Sequence, residues 1–226
     1  MSMIFEDKYK EHIFIKDVIP LFKSNINENT TIIDLCCRNG FFINELINLK
    51  NNDIKIILND EDKHRAWFYT SIKVLDIDKV YSEYLVYKKE NKSVSSSVDE
   101  YLNENNQIRK LALYIYIYNN DINIDCLYKL KDFLNRDNLY IFNEKVINII
   151  NKATSEDTVL YINLDVIDNK TIASYIRGLC KYTCKSQSVI YQSTNIPEYQ
   201  NNLFSYKHYK DGYLVYYPKD EFPDGF

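Results

Sequence analysis

The chain has 226 residues, with 28 Lys and Arg against 32 Asp and Glu for a formal net charge of -4. That length holds one substantial core plus an appendage and hardly two independent domains, while the mildly acidic balance excludes a net basic field that would draw the whole protein to nucleic acid. Apolar residues at 46% beside 27% charged exclude a largely disordered chain, and the sequence holds no apolar stretch of membrane-spanning length, so a soluble protein without membrane contact is expected.

In chain order, Ile13, Ile15, Val18, Ile19, Leu21 and Phe22 around Pro20 predict a short helix within residues 12 to 24. Residues 31 to 35 read as a first strand. Phe41, Phe42, Leu46, Ile47 and Leu49 then recur at helical spacing, which places Asn39 and Gly40 in the turn before or at the start of that helix. Residues 53 to 58 read as a second strand with Asn59 and Asp60 at its carboxyl end, followed by a helix over 66 to 75 that turns Trp67, Phe68, Ile72 and Leu75 inward. The polar, Ser-rich stretch from Lys88 to Glu104 suits a mobile loop or the edge of an inserted subdomain. Ile108, Leu111, Ala112 and Ile115 share one helical face, which favours a helix over 111 to 118 despite the alternation of Tyr and Ile there. Further on, 157 to 163 reads as a strand, 172 to 182 as a helix, 186 to 191 as a strand and 213 to 217 as a terminal strand before Pro218. Such alternation predicts an α/β fold: a Rossmann-like three-layer sandwich with a mainly parallel sheet and a small helical insert. Residues 1–75 and 151–226 are expected to form the core and 76–150 the insert or recognition-like region.

Five cysteines, Cys36, Cys37, Cys126, Cys180 and Cys184, form an odd set without a CxxC pair or a secretory leader, which points to a reduced, cytoplasmic setting. Cys180 and Cys184 lack a matching Cys-His pair, so no metal site is expected. His12, His64 and His208 are scattered and read as structural. Lys8, Lys10 and Lys16 and the 207 to 213 segment interleave basic and aromatic residues, which reads either as a surface that binds phosphates and stacks bases or, in preference, as a solvated loop; Lys129, Lys131 and Arg136 form another basic run that a plain helix surface explains equally well.

The chemistry concentrates where an apolar run ends in Asp34, a turn with Gly40 follows, and a second apolar run ends in Asn59 and Asp60. A βαβ unit presents a nucleoside cofactor site in this way. Asp34 reads either as an acceptor for a cofactor amine or as a strand-end acid bonded to nearby backbone. Asp60 reads as a ribose ligand or as a cap on the following helix, and the two roles are compatible. Asn163 and Asp165 follow the strongest late strand, where a side chain faces a substrate crevice or caps a loop.

These residues carry a family resemblance. Asp34-Leu35-Cys36-Cys37-Arg38-Asn39-Gly40 resembles the cofactor loop of DNA adenine-N6 methyltransferases of the Dam type, particularly the small phage forms, and Leu58-Asn59-Asp60 is similar to their motif after the second strand. Residues 13 to 21, with Lys16, are similar to the family's opening segment over the methionine end of S-adenosylmethionine. Leu113 to Tyr118 corresponds to a helix at the start of the recognition insert, and Ser186 to Asn195 resembles the late strand. The resemblance implies a methyltransferase fold in the host cytoplasm, S-adenosylmethionine held by Lys16, Asp34, Cys36, Gly40 and Asp60, and Asn163 and Asp165 in the catalytic position. It also exposes breaks. The family's Asp-Pro-Pro-Tyr is replaced by Asn163-Leu164-Asp165-Val166, which removes an aromatic platform worth about 1 to 3 kcal/mol of base stacking. Arg38 stands where a loop glycine is expected. Two accounts therefore stand: a divergent enzyme acting on DNA, or an inactive methyltransferase-like protein that binds DNA, a nucleotide or a protein partner.

Overall fold

The computed structural model describes residues 29–38, 40–48, 54–118, 122–152, 158–163, 189–193, 204–208 and 214–218. The elements run β1 (Thr31–Asp34), α1 (Phe41–Ile47), β2 (Lys55–Asn59), α2 (Lys63–Val74), α3 (Ile77–Glu90), α4 (Val94–Asn103), α5 (Gln107–Tyr118), α6 (Ile124–Leu134), β3 (Leu139–Phe142), α7 (Val146–Lys152), β4 (Thr158–Asn163), β5 (Val189–Ser193), β6 (Phe204–His208) and β7 (Leu214–Pro218). They divide into two compact units, one holding α1 to α6 and the other the seven strands with α7. The fold is mixed α/β and Rossmann-like. The predicted helices over 12 to 24 and 172 to 182 lie outside the described residues, as do Cys180 and Cys184.

The sheet has the order β3-β2-β1-β4-β5-β7-β6. Its first five strands are mutually parallel, in register Ile33 to Ile57 on one side of β1 and Ile33 to Leu160 on the other. A strand with neighbours on both sides and helices in its crossovers favours near-continuous branched apolar residues. Ile32, Ile33, Leu58, Val159 and Leu160 accordingly stand at 1% exposure or less. Beyond β5 the direction reverses, because β7 runs antiparallel to both β5 and β6. The 76–150 span contributes β3 and α7 to this unit, two elements that the sequence reading does not pick out. β6, which takes in Lys207 and His208, was likewise expected as a basic-aromatic loop and is instead an edge strand.

In the helical unit, α5 settles the ambiguous Tyr-Ile stretch. Leu111 to Tyr116 are all buried, so the helix is covered all round by α2, α3 and α4 rather than amphipathic. Phe68 of α2 stacks on Tyr114 at 5.1 Å, and Tyr101 of α4 lies 5.8 Å from the same ring. Phe68 and Ile72 point inward as expected, while Trp67 and Leu75 are only half-buried.

The Ser-rich stretch, expected as a mobile loop or the edge of an inserted subdomain, is the end of α3 followed by α4 rather than a loop. Asn91 adopts a left-handed conformation (φ 50°) that stops α3, and the Ser93 hydroxyl accepts the Ser96 N–H at 3.3 Å to start α4. Serine is thus punctuation here rather than a solvated run. His64 has the structural role expected of it, with Nδ1 2.7 Å from the Tyr101 hydroxyl. Lys131 donates to the Leu75 carbonyl, and the Arg136 guanidinium lies 4.9 Å over the Phe133 ring. These contacts account for two members of that basic run by packing alone.

Candidate functional site

All five parallel strands end at the same edge of the sheet, and the chain switches from building outward through β2 and β3 to building outward through β4 and β5 at the β1/β4 boundary. Ligand sites of open α/β sheets lie beyond the carboxyl ends at such a reversal. Asp34 is the last residue of β1, pairing with Tyr161 of β4, and is 1% exposed. Asp60 follows β2 directly and is 6% exposed. Two nearly buried carboxylates at strand ends are costly to desolvate, so their placement calls for hydrogen-bonding partners.

The backbone between them is held rather than loose. Leu35 donates to the Tyr161 carbonyl at 2.9 Å and Cys37 to the Asn59 carbonyl at 3.0 Å, so the segment leaving β1 bonds first to β4 and then to β2. Asp34 folds back locally, its Oδ1 accepting the Cys36 N–H at 3.2 Å. The strand-end role for Asp34 is therefore present.

Electrostatics join the two aspartates. The Cys36 thiol is held well above its ordinary range, by burial first, then by Asp60 and Asp34, with Arg38 opposing. The Cys37 thiol is raised by burial, then by Asp34 and Asp60. Each sulfur feels both carboxylates, so Asp34, Cys36 and Asp60 occupy one neighbourhood at the ends of β1 and β2. The field there is negative. It suits a cation or a neutral diol and opposes a phosphate.

The acidic run after β2 divides into separate jobs. The cap on α2 expected of Asp60 belongs to Asp62, which accepts the His64 N–H at 2.8 Å. Glu61 accepts the Val146 N–H at 2.7 Å, where α7 begins. Asp60 is left to the strand ends, its N–H donating to Phe142 O at 3.3 Å and its carbonyl accepting from Asn143 Nδ2 at 2.7 Å. Asn59 is buried beside it and reaches Leu35 and Glu144. Sequence reasoning placed Asn59 at the end of the second strand without giving it a role, and it did not pick out Glu61, Asn143 or Glu144. The strand end at Asn59 and Asp60 carried some signal, and the short apolar run Leu139 to Phe142, which brings 143 and 144 to it, was passed over.

Of the other expected site residues, Gly40 lies in the helical unit, at φ 66° and ψ 13°, as the residue before α1. That left-handed conformation costs glycine nothing. Asn163 ends β4, opposite Gln192 of β5 and two residues beyond the partner of Asp34. Asp165 and Lys16 lie outside the described residues. Among the described residues no cluster of His, Cys, Asp and Glu is arranged to hold a metal ion, and no helix is long and apolar enough to cross a membrane. No protein-family model and no curated protein sequence matches the chain.

Proposed function

We propose that this protein is a divergent Dam-like methyltransferase fold that binds S-adenosylmethionine at the ends of β1 and β2, with adenine methylation of DNA weakened or lost. The observation that carries the reading is the placement of two nearly buried carboxylates, Asp34 ending β1 and Asp60 directly after β2, at the carboxyl edge of the parallel sheet. A carboxylate at the end of β2 accepts both hydroxyls of a ribose. The second carboxylate, on β1, favours a ligand bearing the positive sulfonium and amino groups of S-adenosylmethionine. A unit charge at about 6 Å in an effective dielectric near 20 is worth about 3 kcal/mol, enough to separate a sulfonium nucleoside from a phosphate-bearing cofactor.

The sheet order supports the same reading by analogy of fold. The run 3-2-1-4-5 is that of doubly wound nucleotide-binding sheets, and an antiparallel β7 inserted before β6 is what a Rossmann-like methyltransferase sheet would have. Catalysis is where the chain departs from the family. Asn163 supplies a carbonyl acceptor for an adenine amine, but Leu164 and Val166 offer neither the proline geometry nor a π-face for a flipped base. That loss favours a second reading, in which the fold binds cofactor, nucleotide, DNA or a protein partner without transferring a methyl group.

Calorimetric titration of the full chain with S-adenosylmethionine and S-adenosylhomocysteine tests the cofactor reading. Binding is expected, and Asp60→Ala should weaken it about ten- to a hundredfold through the loss of charge-assisted hydrogen bonds. Absence of heat with the wild-type protein would overturn the cofactor reading. Methyl incorporation into unmodified duplex or single-stranded DNA then separates an enzyme from a binding protein.

A further inference from the structure

Asn59 is 1% exposed, and its carboxamide is used on both sides. Nδ2 donates to the Leu35 carbonyl at 3.2 Å and to the Glu144 carbonyl at 3.0 Å, while Oδ1 accepts the Glu144 N–H at 3.1 Å. Its main-chain carbonyl takes the Cys37 N–H at 3.0 Å. The reverse orientation of the amide would set an oxygen against two carbonyl oxygens, so the hydrogen-bond pattern fixes which end is nitrogen. Only a carboxamide offers two donors and an acceptor in one plane at this size. Aspartate would present acceptors alone, and an apolar residue would leave buried backbone groups without their partner.

We infer that Asn59 is the positioning residue of the strand-end site, fastening the segment after β1 and the segment between β3 and α7 to the residue immediately before Asp60. The geometry gives this a specific consequence. Asp60 is bonded through its own N–H and carbonyl to Phe142 and Asn143, so Asn59 and Asp60 together hold 142–144 by main chain and side chain alike. The Asn59 side chain thus adds to the β1/β2 ladder and the Cys37-to-Asn59 main-chain bond in setting the separation between the Cys36-Cys37 backbone and Asp60. This role rests on the reading that the strand ends hold a nucleoside ligand, and its structural half can be read without one.

The test uses the full chain carrying Asn59→Asp or Asn59→Ser, with the wild-type protein measured beside each. Hydrogen exchange is followed at the Cys37 and Glu144 amides and across α3 to α5, and affinity for S-adenosylhomocysteine is measured at about pH 8 and about pH 5. Titratable groups on the same strand ends are Asp34, Cys36, Cys37, Asp60, Glu61 and Glu144, which the wild-type control covers. At the higher pH, Asn59→Asp should exchange at those two amides about tenfold faster than wild type and bind the probe about tenfold more weakly. At the lower pH its new carboxyl gains a proton, regains one donor, and should move back toward wild type in both readouts.

Asn59→Ser, which reaches fewer partners at either pH, should show the losses without recovery, and it decides the matter if Asn59→Asp does not fold. Wild-type exchange at Cys37 and Glu144 in both variants would overturn the inference. So would equal acceleration across the helical unit, or a loss in Asn59→Asp that pH does not reverse. A wild-type protein that fails to bind the probe removes the ligand reading alone, and the exchange pattern then decides the role of Asn59.

Discussion

The Glu61 carboxylate bonds the first N–H of α7 across 85 residues of chain, and removing it isolates the worth of that clasp. The first N–H groups of a helix have no partner within it. Val146 finds its own in Glu61 Oε1 at 2.7 Å, a short distance for an N–H donor and in keeping with a charged acceptor. A helix cap is worth about 0.5 to 2 kcal/mol, and the solvent exposure of Glu61 holds this one near about 1 kcal/mol. For a chain of this size that lowers the thermal midpoint of Glu61→Ala by about 2–4 °C and speeds local opening at the start of α7 about fivefold. Glu61→Gln keeps a neutral acceptor and should lose about half as much. Hydrogen exchange read by segment is the deciding assay. The change belongs at residues 146–148, whereas Asp62→Ala, which uncaps α2, should change 63–66 instead. If Glu61→Ala melts and exchanges as wild type does, or if its effect appears in α2, the assignment of three adjacent acids to three separate jobs is refuted.

Gly40→Ala forces a Cβ onto a residue at φ 66°, and the left-handed penalty of about 1 to 2 kcal/mol should appear in denaturant titration; an unchanged midpoint would show that the loop relaxes freely. The raised thiols of Cys36 and Cys37 should alkylate more slowly in the native chain than in the unfolded one at mildly alkaline pH, and Asp60→Asn should quicken Cys36. Because folding raises these thiol pKa values, the stability tied to the neutral thiols is intact below the ordinary thiol range and is lost as pH climbs from that range through the raised folded values. Equal alkylation rates in Asp60→Asn and wild type would sever the link between that carboxylate and Cys36.

Sequence patterning reached the parallel strands and the aspartates at their ends because buried central strands announce themselves as runs of Ile, Leu and Val. Thr31 to Asp34 and Lys55 to Asn59 are of that kind. It failed where the signal is not periodic. β3 is the short run Leu-Tyr-Ile-Phe, only four residues long with Leu139 alone buried, and it comes after a long helical stretch, so its apolar signal was passed over. The serines at 93 and 95 to 97 look like loop composition until their hydroxyls are seen to bond backbone and one another at a helix start. Asp60 was legible as a strand-end acid at the entrance of the next helix. The neighbouring acids were not told apart, because the partners at 142 to 146 arrive only through the strand that patterning overlooked.

The central strand has one further consequence, for synthesis. β1 pairs with β2 soon after both emerge, but its other partner, β4, lies beyond every helix described above. At ribosomal rates that interval is roughly ten seconds, during which the Ile32-Ile33 edge faces solvent without its second partner strand. A nascent chain halted before β4 would carry this open edge, a template for pairing with any other extended strand.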